Sequence, residues 1–182
     1  MKDKERRQPM TTCHLLIAIR RKKENKEEDM TWRGELCFRQ VVTDYEEDLA
    51  TLTNKIQRFP GVWRIYKTTN ARDISKARKM LMTKLINEPE EWDYRVDSLW
   101  RTCLLQPDCK AERNFLLDID TKDEVVLEEL APKLSGKVLQ QVETPNGWHI
   151  VAEKFDVRAL EGIKDVEFKR DGYVFVDRIE VK

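Results

Sequence analysis

Asp118 and Asp120 stand one residue apart at the end of an apolar run, residues 114–120. Alternate side chains of a β-strand point to opposite faces, so both carboxylates should project together while Leu117 and Ile119 point into the core. Like charges this close repel, and a hard cation such as Mg²⁺ or Mn²⁺ relieves that repulsion while accepting oxygen ligands. The pair predicts a divalent-metal site. The alternative is a strand end that meets water, with Asp120 beside the next helix.

Two later residues could take part in the same chemistry. His149 lies two residues after Gly147, and it is either an exposed imidazole or a hydrogen-bonded structural residue. Asp177 ends the apolar segment 173–177, as Asp118 ends its own strand. Its carboxylate either joins a charged site or pairs with Arg178.

The regular pattern after residue 114 predicts the elements that position these side chains. The predicted order is strand, helix, strand, strand, helix, strand, strand, which begins as the split βαβ arrangement of ferredoxin-like and RNA-recognition-like folds. We therefore expect an α+β chain whose RNA-recognition-like sheet has helices on one face and a site on the other. The predicted segments are a strand at 115–120, a helix from the capping box 121–124 to Leu130, a hairpin of 138–144 and 148–153 around Asn146-Gly147, a short helix from Asp156 to Leu160, and a second hairpin of 166–170 and 173–179 around Asp171-Gly172.

A smaller α/β unit is expected to precede this sheet. Its predicted segments are a strand at 13–19, a charged loop at 20–29, a strand at 31–42, a helix capped by 43–46 and ended by Pro60-Gly61, a strand at 62–67, a helix capped by Asn70 and ended by Pro89, and a connection with a short strand at 88–112. The predicted organisation is a flexible tail (1–10), an N-terminal α/β unit (11–110) and the RNA-recognition-like subdomain (111–182), together one compact domain.

Composition limits the partners. Thirty-four basic residues balance thirty-four acidic ones, so binding to nucleic acid requires a local patch, for which the basic run of residues 64–84 is the candidate. The longest apolar run, residues 15–19, is too short to span a membrane, and residues 1–7 lack the apolar segment of a secretory signal. We expect a soluble, cytoplasmic protein without a membrane partner. Its four cysteines contain no Cys-x-x-Cys pair, which favours reduced thiols.

The order of the three motifs resembles that of the archaeo-eukaryotic primase superfamily, the primase-polymerases. The shared pattern is an apolar strand with Asp118-x-Asp120, then Gly147-Trp148-His149 after a turn, then a hairpin that ends in Val-Phe-Val-Asp177. The resemblance covers about residues 114–178. It implies an RNA-recognition-like catalytic sheet, preceded by a smaller α/β unit, that adds nucleotides to a nucleic-acid 3′ end by a two-metal mechanism.

The resemblance also implies roles for individual residues. Asp118, Asp120 and Asp177 would be the catalytic ligands of Mg²⁺ or Mn²⁺, and His149 would contact the triphosphate of the incoming nucleotide. Lys67 and Arg72 fall where many members carry basic residues near the nucleotide. The implied partners are nucleoside triphosphates, a DNA or RNA template and primer, and a replication protein. Gly147 replaces the serine that usually precedes the histidine by two residues, so one hydroxyl contact to phosphate is absent.

Two other functions use the same residues. A metal-dependent nuclease could employ the carboxylates with His149 as the base toward water. A catalytically inactive nucleic-acid-binding module could stack bases on Tyr173 and Phe175, as RNA-recognition sheets do. Against the second function, acidic positions on the central strand repel phosphate unless a cation intervenes.

Overall fold

A computed structural model of the chain describes residues 11–25, 35–92 and 94–182. The chain is mixed α+β with antiparallel sheets, which confirms the predicted fold class at that level. The strands are β1 (Thr12–Cys13), β2 (Leu15–Arg20), β3 (Leu36–Val41), β4 (Gly61–Thr68), β5 (Arg72–Asp73), β6 (Phe115–Ile119), β7 (Val138–Glu143), β8 (Trp148–Ala152), β9 (Val166–Lys169) and β10 (Tyr173–Val181). The helices are α1 (Tyr45–Ile56), α2 (Ile74–Asn87), α3 (Pro89–Trp92), α4 (Val96–Leu104) and α5 (Glu124–Leu130).

The chain divides into two compact units, and the division does not follow the predicted boundary at residue 110. The larger unit joins residues 14–70 to residues 112–182, and the smaller unit contains residues 71–111 with the N-terminal segment that ends at Cys13. No helix in the described parts of the chain is both long enough and apolar enough to cross a membrane.

The first sheet of the larger unit has the strand order β10-β4-β2-β3, with every neighbouring pair antiparallel. One face of this sheet buries Leu16, Ile65 and Trp63 against Leu52 and Ile56 of α1. Apolar residues that recur at helical spacing therefore form the buried face of α1, as the sequence predicts.

The start of α1 is fixed by two acidic side chains. Asp44 is the N-cap and accepts a hydrogen bond from the Glu47 amide at 3.1 Å. The buried carboxylate of Asp48 accepts bonds from the amides of Thr43 and Asp44, at 2.6 and 2.9 Å. These bonds satisfy amides that a helix leaves without internal partners. The predicted helix is confirmed, with Asp44 rather than Thr43 as its cap.

The second sheet has the order β7-β8-β6-β9, again with antiparallel neighbours. Its central strand β6 buries Phe115, Leu117 and Ile119 against α5 and a 3₁₀ helix at Val157–Leu160. The hairpin of β7 and β8 is confirmed. Neither Asn146 nor Gly147 has a positive φ, however, so the predicted reason for this turn is wrong.

The second predicted hairpin, around Asp171-Gly172, is wrong. β9 pairs with β6 in the second sheet, whereas β10 pairs with β4 in the first. The buried side chain of Asn70 holds the connection between β9 and β10. It donates to Asp171 Oδ1 at 3.1 Å and accepts from the Asn114 amide at 2.7 Å. Asn70 is therefore not the predicted helix cap, because its side chain is engaged in this connection.

The smaller unit is built from helices and a two-stranded antiparallel sheet of β1 and β5. Asp73 caps α2 by accepting a bond from the Lys76 amide at 2.9 Å. The predicted connection at 88–112 contains α3 and α4, and α4 buries Leu99 and Cys103. Among the described cysteines all four thiols are free; Cys37 is exposed, and burial raises the pKa of the Cys13 thiol to about 11.

Candidate functional site

A cleft of about 520 Å³ lies within the larger unit, between the two sheets. One wall comes from β2, β4 and β10, and the other comes from β6, β8 and β9. Its volume is in the range of small-molecule sites. The polar and aromatic residues that line it are four cations (Arg21, Lys23, Arg64 and Lys169), two carboxylates (Asp118 and Asp120), three aromatic rings (Tyr66, Tyr173 and Phe175), His149, Thr144 and Asn146.

The pairing of β6 determines which side chains share the cleft with Asp118. Its partner on β8 is His149, and its partner on β9 is Glu167. Directly paired residues of antiparallel strands project from the same face. The opposite face of β6 carries Leu117 and Ile119, which are buried in the core. Strand alternation therefore places Asp118 and His149 on the face that α5 leaves uncovered.

His149 is held at both ring nitrogens. The Phe175 amide donates to Nδ1 at 2.9 Å, and Nε2 lies 3.1 Å from Asp118 Oδ1. A backbone amide can only donate, so Nδ1 must be the unprotonated nitrogen and Nε2 must carry the proton that Asp118 accepts. The ring is buried, and it stacks on Tyr66 with centroids 6.4 Å apart. His149 is thus a hydrogen-bonded residue that orients Asp118.

Lys169 occupies the other oxygen of Asp118. Its Nζ lies 2.6 Å from Asp118 Oδ2 and 2.9 Å from Glu167 Oε2. Partial burial opposes the charge of Lys169, but the hydrogen bonds to Asp118 and Glu167 prevail and raise its pKa. The sequence contained a signal for this pair, because residues two apart on a strand share a face. Neither residue was among the predicted site residues.

The pKa of Asp118 is held well below its usual range. The hydrogen bond from His149 is the largest cause, partial burial opposes it, and the hydrogen bond from Lys169 adds to the lowering. Charged partners favour the ionised form of a carboxyl group. Asp118 is consequently a carboxylate over the whole physiological pH range, as a metal ligand must be.

The wall contributed by the first sheet is basic and aromatic. Arg64 pairs with Glu24 at 2.6 Å, and Arg21 donates to the Tyr66 hydroxyl at 3.1 Å while its guanidinium lies 5.7 Å from the centre of that ring. Phe175 meets Tyr66 edge to face at 5.9 Å. These contacts place planar rings and guanidinium groups opposite the carboxylates.

Asp177 does not line the cleft with the other two predicted carboxylates. A β-bulge between Phe175 and Asp177 leaves Val176 unpaired, so Asp177 pairs with Ile65, which is buried on the α1 face of the first sheet. The extra residue of a bulge reverses the alternation of faces. Consistent with this position, the charge of Asp177 is one of the causes that raise the pKa of Tyr45 in α1.

The predicted nucleotide-binding cations lie elsewhere as well. Lys67 directly follows Tyr66 on β4 and so projects from the opposite face, where its ammonium lies 5.7 Å from the centre of the Tyr45 ring. Arg72 belongs to β5 of the smaller unit and is buried. The basic run of residues 64–84 therefore does not form one continuous surface, since Arg64 and Lys67 lie on opposite faces of β4. Arg21 and Lys23, which do line the cleft, come from the segment predicted as a charged loop.

The donor set fits a metal that is only partly held by protein. Asp118 and Asp120 both line the cleft. Within the described residues, no group of three or more histidine, cysteine or acidic side chains is arranged to hold a metal ion. Mg²⁺ is commonly bound by one or two carboxylates together with waters and substrate phosphates. Two carboxylates beside four cations match that kind of site and do not match an all-protein metal cage.

Comparison with protein families, curated proteins and solved structures finds no match to this chain.

Proposed function

We propose that this protein is a metal-dependent nucleotidyltransferase of the primase-polymerase type, which adds nucleotides to the 3′ end of a nucleic acid. The observation that carries the proposal is a single cleft lined by Asp118 and Asp120 together with four cations and a set of aromatic rings. The carboxylates suit a divalent cation, the guanidinium and ammonium groups suit phosphates, and the rings suit a base.

The strand order of the second sheet supports this proposal at the level of the fold. β6, the first strand of the run, lies between β8 and β9, and β7 is at the edge. We infer an RNA-recognition-like split βαβ sheet from this order, the antiparallel pairing and the helix between β6 and β7. The position of its second helix is taken by the 3₁₀ turn at Val157–Leu160.

Each part of the cleft has a task in the proposed reaction. When bound, a divalent metal would neutralise phosphate charge and favour ionisation of the attacking hydroxyl group. Asp118 and Asp120 would hold that metal, with His149 fixing the orientation of Asp118. Arg21, Lys23 and Arg64 would bind the triphosphate and stabilise the negative charge that develops on the departing pyrophosphate. Planar contact with the base would fall to Tyr173, which lines the cleft and is exposed, because the Tyr66 ring is already buried against His149 and Arg21.

The hydrogen bonds of His149 argue against a nuclease that uses this residue as its base. A general base needs a lone pair that can accept a proton. Nδ1 already accepts from the Phe175 amide, and Nε2 carries the proton shared with Asp118. Deprotonation of water by His149 would require the loss of one of these bonds.

A second candidate is a non-catalytic nucleic-acid-binding module. One observation favours it: both oxygens of Asp118 are already paired, with His149 and with Lys169. Such a module would bind through the cations and aromatic rings without a metal. The two candidates therefore differ in whether metal binding depends on Asp118 and Asp120.

The test uses the purified 182-residue chain, a primed template, nucleoside triphosphates and Mn²⁺. We expect extension of the primer by the wild type, and none by Asp118→Asn/Asp120→Asn, which keeps the shape of both side chains. Asp108→Asn changes an exposed aspartate of the smaller unit and should extend like the wild type. Absence of extension by the wild type, or equal extension by the double variant, would refute the enzymatic proposal. Nucleic-acid binding that survives without metal would then support the binding module.

A further inference from the structure

Lys169 occupies the position at which a metal ion would approach Asp118. We propose that Lys169 is a built-in competitor of the divalent metal, and that the ion binds only by displacing the lysine ammonium from the carboxylate. This inference rests on the proposed function, because it assumes that Asp118 is a metal ligand.

Competition follows from the charge of the two cations that would share Asp118. Oδ1 accepts the proton of His149 Nε2 at 3.1 Å, and Oδ2 is 2.6 Å from the Lys169 ammonium. Mg²⁺ binds carboxylate oxygens at about 2.0–2.1 Å. A metal and an ammonium on the same oxygen would place like charges within a few ångströms of each other, where they repel strongly in a partly buried cleft. The metal and the ammonium therefore compete for Asp118.

His149 is the fixed partner. Its Nδ1 is tied to the Phe175 amide, the ring packs on Tyr66, and the side chain is only 8% exposed. Rotation of the ring would break the bond to the partly buried Phe175 amide and would leave that donor without its partner.

Lys169 is the partner that can move. Its side chain is 31% exposed and ends on a flexible four-carbon stem. Glu167, with a side chain that is 63% exposed, lies 2.9 Å from the same ammonium and is a second carboxylate with which it can pair. Both residues sit on β9, and Glu167 pairs directly with Asp118. Transfer of the ammonium from Asp118 toward Glu167 or a phosphate therefore needs side-chain rotation alone.

The experiment measures Mn²⁺ affinity by calorimetry without nucleotide, so that it does not depend on turnover. Lys169→Met removes the charge and keeps the stem, and it should bind Mn²⁺ about fivefold more tightly, as expected for loss of a competing ion pair worth about 1 kcal/mol. Lys169→Arg keeps the charge and should bind close to the wild type. Lys164→Met changes an exposed lysine of the loop before β9 and should not alter Mn²⁺ affinity.

The outcomes separate this inference from the proposed function. Tighter binding by Lys169→Met that disappears in Lys169→Met/Asp118→Asn supports the competition. Equal Mn²⁺ affinity of the wild type and Lys169→Met overturns it, even if the wild type extends primers. Equal tightening by Lys164→Met would also overturn it, because the effect would then be one of net charge. Mn²⁺ binding that is insensitive to Asp118 would refute the metal site itself.

Discussion

Gly147 is the position at which a single added carbon should disturb the candidate site most. A Cβ built on Gly147 would lie 1.9 Å from the carbonyl oxygen of Ile119 and 2.8 Å from that of Thr121. Both obstacles are backbone atoms, so rotation of a side chain cannot remove the clash. The chain also bonds to itself here, because the Gly147 amide donates to Thr144 Oγ1 at 3.0 Å and the Thr144 amide donates to the Gly147 carbonyl at 2.8 Å.

The expected loss of stability follows from how far the backbone must move to relieve this clash. To restore van der Waals contact, the start of β8 must move away from the end of β6 by on the order of 1 Å. Strain of this kind in a packed region costs about 1–3 kcal/mol or more. For a chain of this length, a loss of about 3 kcal/mol lowers the unfolding midpoint by roughly 6–12 °C. His149 lies two residues away on β8, so the contact with Asp118 should lengthen as well.

The assay compares the thermal unfolding of Gly147→Ala with that of Gly172→Ala. Gly172 is a matched control, because its added Cβ would meet side-chain atoms alone, the nearest being a methyl group at the end of the Leu116 side chain at 2.9 Å. Neither glycine has a positive φ. We expect the control to lose less than about 1 kcal/mol. Equal midpoints for the two variants would refute the argument from backbone contact.

The same clash bears on the serine that the primase-polymerases usually carry at this position. A serine at Gly147 has the same Cβ and therefore the same collision with the Ile119 carbonyl. We infer that Gly147→Ser cannot simply restore the hydroxyl contact to phosphate. The glycine is explained by the close approach of two backbone segments, and in the proposed enzyme phosphate binding would fall to other groups of the cleft.

Three further changes test single hydrogen-bonded side chains. Asn70→Ala removes the buried amide that joins Asn114 to Asp171, and urea denaturation should show a loss of about 2–4 kcal/mol; a loss below about 1 kcal/mol would contradict the structure. Asp48→Ala leaves the Thr43 and Asp44 amides, which lead into α1, without their acceptor and should cost about 2 kcal/mol by the same measurement, whereas an unchanged midpoint would show that water replaces the carboxylate. Asp118 has a lowered pKa in the folded state, so its contribution to stability is complete above the unfolded pKa of about 4 and is lost as the pH falls through the folded value. Asp118→Asn should lack this acid-dependent loss, and equal slopes of stability below about pH 4 would refute it.

Local patterns were sufficient to predict part of the site. Alternation along β6 and into the residue after it correctly predicted that Asp118 and Asp120 line one cleft while Leu117 and Ile119 enter the core. The Asn146-Gly147 dipeptide correctly predicted a hairpin next to His149. Each of these inferences depends on neighbours in the sequence. The same alternation on β9 could have indicated Glu167 and Lys169.

Other features depended on contacts between distant segments. The segment 173–179 carries a strand pattern, but that pattern does not specify whether the strand pairs with β9 or with β4; the buried amide of Asn70 accompanies the second pairing. The bulge that reverses the face of Asp177 is likewise absent from the apolar pattern. Arg21 and Arg64 could not be assigned to the cleft from sequence, because their position there depends on the first sheet facing β6.

The choice of partner for β10 has a consequence for the chemistry of the cleft. β10 belongs to the first sheet through β4, yet its Phe175 amide donates to His149 on the second. That single bond fixes the protonated nitrogen of the ring, directs it at Asp118 and leaves Lys169 as the only movable partner of the carboxylate among the contacts described. Had β10 formed the predicted hairpin with β9, the Phe175 amide would have been placed by the second sheet alone. The packing of the two sheets, and not the motif by itself, therefore sets the state of Asp118 that a metal ion would meet.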